Sequence, residues 1–210
     1  MKIIKAIILC TVAALALCSC TKSTTKAPQS TAVSAEKTDI SALTENTQNI
    51  TIELENGYVI KAELYPDIAP ITVKNFTKLI EDKFFDGLIF HRVIEGFMIQ
   101  GGGYDKNMTS KKADSIKGEF ASNGVDNPLK HERGVLSMAR TNKKDSASSQ
   151  FFIMHKTSPH LDGEYAAFGK VTEGMEFVDA IAAAKTTTYQ NVMSDVPVDP
   201  IIIKTITLDE

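Results

Sequence analysis

The sequence has no tryptophan and only three cysteines. The cysteines, Cys10, Cys18 and Cys20, all lie within the first twenty residues. Residues 21–210 therefore contain no disulfide and no thiolate for nucleophilic chemistry. The formal net charge is −3, so there is no surplus of positive charge to neutralise a phosphate backbone. This argues against nucleic acid as a partner.

Motifs of several common enzyme classes are also missing. The four histidines, His91, His131, His155 and His160, have none of the paired spacings that are typical of zinc sites, so we expect no metal. No G-x-S-x-G segment surrounds a serine, which argues against a hydrolase of that type. Gly101–Gly103 is not followed by the helix that a phosphate-binding loop needs, so we do not interpret it as a nucleotide-binding loop.

The longest apolar run lies at the N-terminus. Lys2 and Lys5 precede the almost wholly apolar Ala6–Leu17, which is shorter than the roughly 20 residues that a membrane-spanning helix needs. This layout predicts a secretory signal peptide over residues 1–19. The protein is therefore expected to be extracytoplasmic.

The end of this segment, Leu17-Cys18-Ser19-Cys20, resembles a bacterial lipobox. The resemblance implies cleavage before Cys20 and lipidation of its thiol, which would anchor the chain to the bacterial cell membrane. A plain signal peptide with an incidental cysteine is the alternative. Residues 20–46 are rich in Ser, Thr, Lys and Ala and have little apolar material to bury, so they are interpreted as a flexible tether.

The remaining segment, residues 47–210, reads as one mainly β domain. Ile50–Leu54 and Tyr58–Leu64 flank Asn56-Gly57, a strong hairpin signal. Apolar residues recur at helical spacing over about 71–83 and again near Met175–Ala184. Many short strands with two helices suggest a closed or nearly closed antiparallel barrel. The other predicted strands are Leu88–Val93, Phe97–Gln100, Gly134–Ala139, Gln150–Met154, Ala167–Val171 and Ile201–Leu208.

Five short motifs carry a family resemblance. Phe90–Gly102 resembles the FHR…GFM-Q-GG signature of the cyclophilins, which are peptidyl-prolyl cis-trans isomerases. Four further segments match that family in the same order: Gly134–Arg140, Ser148–Ile153, His160–Gly163 and Phe168–Val171. The resemblance covers about residues 49–209, and it implies an eight-stranded closed antiparallel barrel capped by two α-helices.

The implied reaction is rotation about an X-Pro bond, which has a barrier of roughly 18–20 kcal/mol because amide resonance is lost. The prolyl nitrogen gains a lone pair in the twisted state. A donor aimed at that nitrogen stabilises the twisted state more than either planar state, and only such differential binding lowers the barrier. Arginine is always protonated and has several fixed donors. Arg92 is the candidate, and no cofactor or metal is required.

The resemblance also assigns the remaining site residues. Gln100 is expected to position Arg92 and to form hydrogen bonds with the substrate backbone. The expected substrate-binding residues are Phe97, Met98, Ala139, Arg140, Gln150, Phe152, Leu161 and Tyr165.

The expected substrates are unfolded or flexible X-Pro segments of secreted or envelope proteins, and the protein is expected to be a monomer. A non-catalytic proline-peptide-binding or chaperone lipoprotein is the alternative, although such a protein would not need Arg92.

Overall fold

The computed structural model of the chain describes Ser41 and residues 44–209. The predicted signal peptide, Cys20 and nearly all of the predicted tether lie outside the described residues. Eight strands form one antiparallel sheet: β1 (Gln48–Leu54), β2 (Val59–Leu64), β3 (Leu88–Ile94), β4 (Met98–Asp105), β5 (Val135–Met138), β6 (Phe151–Met154), β7 (Ala167–Glu173) and β10 (Ile203–Leu208). Their order in the sheet is β10-β1-β2-β7-β5-β6-β4-β3.

The two edge strands of this sheet meet, which closes the barrel. Ile89 of β3 forms an antiparallel bridge with Ile202, next to the start of β10. The Phe90 N–H donates to the Ile201 carbonyl at 3.0 Å, and the Gly87 N–H donates to the Ile203 carbonyl at 2.9 Å. The predicted closed antiparallel barrel is thereby confirmed.

Two α-helices bury one face each against this barrel. The first, α1 (Pro70–Glu81), has proline in its first turn, where the missing N–H costs nothing. Its Phe76 is fully buried, with ring centroids 5.2 Å from Phe151 and 5.1 Å from Phe168. The second, α2 (Met175–Ala182), buries Val178, Ile181 and Ala182. Both helices were predicted, and each ends two residues earlier than the periodicity indicated.

One hairpin was not predicted. The strands β8 (Thr186–Tyr189) and β9 (Met193–Pro197) form a separate two-stranded sheet, and β9 lies beside β3 of the barrel. Gln190 and Asn191 make the turn with φ of 47° and 57°. Because this segment is polar and its turn contains no glycine, its sequence has neither the apolar alternation nor the turn signal that predicts a hairpin. Its position matters because β3 carries Arg92.

Candidate active site

The strand register places Arg92 of β3 directly opposite Gln100 of β4. Gly96 has a φ of 77°, and the Phe97 N–H donates to the Ile94 carbonyl at 3.0 Å, so the chain reverses tightly between the two strands. Directly opposed residues of an antiparallel pair lie on the same face of a sheet. The tight turn therefore brings the two polar candidates together.

A cavity of about 190 Å³ opens beside this pair. It gathers nine of the ten residues assigned to the site from the sequence. They are Arg92, Phe97, Met98, Gln100, Ala139, Arg140, Phe152, Leu161 and Tyr165.

Gln150, the tenth residue, supports the cavity without lining it. The Gln100 side-chain amide donates to the side-chain oxygen Oε1 of Gln150 at 2.9 Å. A Cβ atom on Gly103 would lie 2.5 Å from Gln150 Nε2, so only glycine leaves room for this side chain. Gln150 therefore holds Gln100 in place from behind.

The floor of the cavity is apolar and tightly packed. Met98, Phe152 and Leu161 retain only 2%, 5% and 7% of their exposure. The Phe152 ring meets the Tyr165 ring edge-on, with a centroid distance of 5.9 Å. Its other neighbour is the His131 ring, which stacks on it at 6.1 Å. Such a floor offers a rigid slot for a small apolar ring.

His131 is a buried support that the sequence did not reveal. One ring nitrogen lies 3.1 Å from the Asp162 carboxylate, and the other lies 3.0 Å from the Ser137 hydroxyl. Burial lowers the pKa of His131, and the Asp162 carboxylate opposes part of that shift. Two of its partners, Asp162 and Phe152, lie more than twenty residues away in the sequence, so no local motif signals these contacts.

Arg140 forms a wall of the cavity and does not offer a free charge. Its Nε donates to the Glu164 carbonyl at 3.0 Å, and its side chain is only 11% exposed. The guanidinium lies over the Phe120 ring at 5.0 Å and over the Tyr165 ring at 4.7 Å. The Ala139 N–H donates to the Gln150 carbonyl at 2.9 Å, so that donor is not available to a peptide.

Arg92 differs from Arg140 in its exposure and in its charged neighbour. Its side chain is 39% exposed, and its Nε lies 3.5 Å from the Asp195 carboxylate of β9. Sequence reasoning missed Asp195 because it missed the hairpin. An arginine at the rim of an apolar slot can donate to a group held in that slot.

A second, larger cavity of about 520 Å³ is lined mainly by polar and charged side chains of both signs, including Asp86, Asp105, Lys106 and Lys111. Within the described part of the chain, no group of three or more histidine, cysteine or acidic side chains could hold a metal ion. No helix in that part is long and apolar enough to cross a membrane.

The apolar floor of the cavity can hold a small apolar ring, and Arg92 at its rim can donate a hydrogen bond to a peptide attached to that ring. The family model described as "Cyclophilin type peptidyl-prolyl cis-trans isomerase/CLD" matches residues 49–208. The chain therefore belongs to the cyclophilin-type peptidyl-prolyl cis-trans isomerases, the family that its motifs indicated.

Curated relatives and solved structures agree with this assignment. Peptidyl-prolyl cis-trans isomerase B of Bacillus subtilis is 47% identical over 146 residues, which cover 70% of this chain and 94% of that protein. The enzyme of the same name from Escherichia coli is 39% identical over 170 residues, which cover 77% of this chain and 99% of that protein. A Cryptosporidium parvum cyclophilin, crystallised in the presence of the dipeptide Ala-Pro, is 33% identical and covers 78% of this chain, with a TM-score of 0.66.

Proposed function

We propose that this isomerase lowers the barrier to X-Pro rotation by arginine donation. The Arg92 guanidinium donates to the prolyl nitrogen as that nitrogen becomes pyramidal, while the apolar slot holds the proline ring. The observation that carries the proposal is the position of Arg92 at the rim of a slot whose floor is almost fully buried. The donor gains a strong acceptor only in the twisted state, so it favours that state over both planar ones.

The apolar floor strengthens this interaction. A proline ring seated on Met98, Phe152 and Leu161 removes water from the space beside the guanidinium. A charge-assisted hydrogen bond is stronger where water is displaced, because the local dielectric is lower. Gln100 stands across from Arg92 and is fixed by Gln150, which suits it to bond the peptide backbone and keep the arginine in register.

Replacing Arg92 tests the proposal. Arg92→Ala is expected to reduce catalysed cis-trans exchange of an Ala-Pro peptide by about 100-fold or more, the usual cost of removing a donor that acts in the transition state. Arg92→Lys keeps the charge but loses the planar fork of donors, so it is expected to recover only part of the rate. The measurement is exchange by NMR at several enzyme concentrations.

Arg133→Ala provides a matched control. Arg133 is an exposed arginine paired with Asp179 at 2.7 and 2.8 Å, and it does not line the cavity. Its loss removes the same residue type and is expected to leave exchange unchanged. An equal loss of rate in both variants would mean that general charge, and not Arg92, supports the reaction.

We also propose that the enzyme works outside the cytoplasm as a monomer on a lipid anchor at Cys20. The lipobox-like Leu17–Cys20 and the polar residues 20–46 support this location. A tether of this kind would let the barrel reach unfolded X-Pro segments of secreted or envelope proteins near the membrane.

A further inference from the structure

Asp195 and Arg92 form a contact between the extra hairpin and the cavity. Asp195 Oδ2 lies 3.5 Å from Arg92 Nε, and the aspartate side chain is about two-thirds covered, with 34% exposed. The Ser194 hydroxyl donates to the same Oδ2 atom at 2.9 Å. One carboxylate oxygen is therefore held on one side and faces the arginine on the other.

The backbone of β9 is irregular at this point. Thr187 pairs with Val196 and Tyr189 pairs with Met193, so β9 has one residue more than β8 between these pairs. The extra residue makes a β-bulge at Ser194 and Asp195. Asp195 has a φ of 63°, in the left-handed region that few residues other than glycine adopt. Bulges re-aim side chains and are frequent beside active sites.

The pairing leaves the useful donors of Arg92 available. A guanidinium has five N–H donors, of which Nε carries one and the two Nη atoms carry four. Asp195 faces Nε, the donor nearest the backbone. The carboxylate can therefore draw the Nε side of the guanidinium towards β9, and this ion pair does not use the four Nη donors, which can meet a substrate. A group held in its working orientation before the reaction lowers the entropic part of the barrier.

We propose that Asp195 is a positioning residue that orients Arg92 for donation to the prolyl nitrogen. The inference rests on the proposed role of Arg92, and it assigns to the β8–β9 hairpin a part in the reaction. Asp195 acts through the arginine and does not itself contact the substrate proline.

Two substitutions separate the carboxylate from the backbone. Asp195→Gly removes the side chain and suits the positive φ without strain. It is expected to lower kcat about two- to five-fold, the range expected for a partly exposed ion pair, with little change in peptide affinity. Asp195→Asn keeps an oxygen acceptor and tolerates the same φ, so it is expected to fall between wild type and the glycine variant.

Asp199→Asn is the charge-matched control. Asp199 is exposed and lies four residues beyond Asp195, outside β9. It changes the net charge by the same amount and is expected to leave kcat unchanged. The experiments use the full chain, with exchange and binding of an Ala-Pro peptide measured by NMR.

A double-mutant cycle distinguishes failure of this inference from failure of the arginine role. In an Arg92→Ala background, Asp195→Gly is expected to have no further effect, because its target is gone. The same fractional loss in both backgrounds would overturn the positioning role while leaving the role of Arg92 intact. Full activity in Arg92→Ala alone would overturn the arginine role itself.

Arginine NMR separates a local effect on Arg92 from a general structural effect. The chain has three arginines, so its Nε–Hε spectrum contains three side-chain signals, and Arg92→Lys identifies one of them. Asp195→Gly is expected to shift that signal and leave those of Arg133 and Arg140 in place. An unmoved Arg92 signal would contradict the proposal.

Discussion

His91, the residue before the candidate catalytic arginine, is a buried titratable group. It is 2% exposed, and its ring lies 4.8 Å from that of Tyr104. Among the described residues its Nδ1 is the one buried side-chain polar atom without a hydrogen-bond partner. Burial lowers the pKa of His91 to about 4, although the Ile89 backbone and the Gln150 side chain oppose the shift. This histidine is therefore neutral in the folded protein near pH 7.

Stability is expected to fall as the pH drops from about 6.5 towards 4. In that window the unfolded chain binds a proton at His91 that the folded chain does not, so protonation favours unfolding. The expected loss is about 1–3 kcal/mol, with a contribution of the same sign from His131. Urea unfolding at pH 7, 6 and 5 measures it. His91→Phe is expected to flatten the pH dependence.

The acidic groups affect the stability of the protein at lower pH than His91 does, so their effect can be separated from that of the histidine. Hydrogen bonds lower the pKa of Asp105, Asp145 and Asp179 below the ordinary value of 3.8. Their contribution to stability is complete above that value and is lost only as the pH falls below it. His131 is expected to leave part of the slope between pH 5 and 7 in His91→Phe. A slope as steep as that of wild type would instead point to groups other than His91.

At the scale of single elements, helix α1 depends on a distant carboxylate. Glu119 is buried, and its two oxygens accept the Ile71 N–H at 3.0 Å and the Thr72 N–H at 2.8 Å. The Thr72 hydroxyl donates to the same carboxylate at 2.7 Å. Glu119 therefore satisfies the first N–H groups of the helix and places negative charge at its positive end.

Glu119→Gln is expected to destabilise the protein by about 1–3 kcal/mol. The amide keeps one acceptor oxygen but turns an NH₂ group towards backbone N–H donors, which leaves a buried donor unsatisfied. Thermal unfolding followed by circular dichroism measures the change. Asp126→Asn, at an exposed loop position, is the control and is expected to unfold as wild type does. Equal melting of both variants would contradict the capping role.

The helices and strands that were predicted are those whose signal lies in their own residues. Alternating apolar residues and the Asn56-Gly57 turn predicted β1 and β2, and helical spacing predicted α1 and α2. The β8–β9 hairpin has exposed threonines and a turn without glycine, so neither pattern was present. Its contact with β3 is tertiary, and local sequence carries no signal of it.

The same distinction between local sequence signals and tertiary contacts applies to the residues of the candidate site. The family resemblance predicted the nine cavity-lining residues and Gln150. Three supports were not found from the sequence: Asp195 beside Arg92, His131 beneath Phe152, and Glu164 beside Arg140. Each lies more than twenty residues from its partner in the sequence, and only the folded structure brings the partners together.

At the scale of the whole molecule, we propose that a lipid anchor at Cys20 decides where the enzyme works. If Cys20 is lipidated, mass spectrometry of the mature protein from a bacterial host should show a chain that begins at Cys20 and carries fatty acyl groups. Cys20→Ser is expected to lose the acyl mass and the membrane association. An unmodified Cys20, or cleavage at another residue, would overturn the proposed anchor.

The most direct test of the role of Arg92 measures binding and exchange of one Ala-Pro peptide in the same NMR sample, with wild type and with Arg92→Ala. Wild type is expected to speed exchange. The variant is expected to bind within a few-fold of wild type but to lose most of the acceleration. Retained acceleration in Arg92→Ala would contradict the role given to the arginine. Binding by wild type without any acceleration would mean that the cavity serves peptide binding alone.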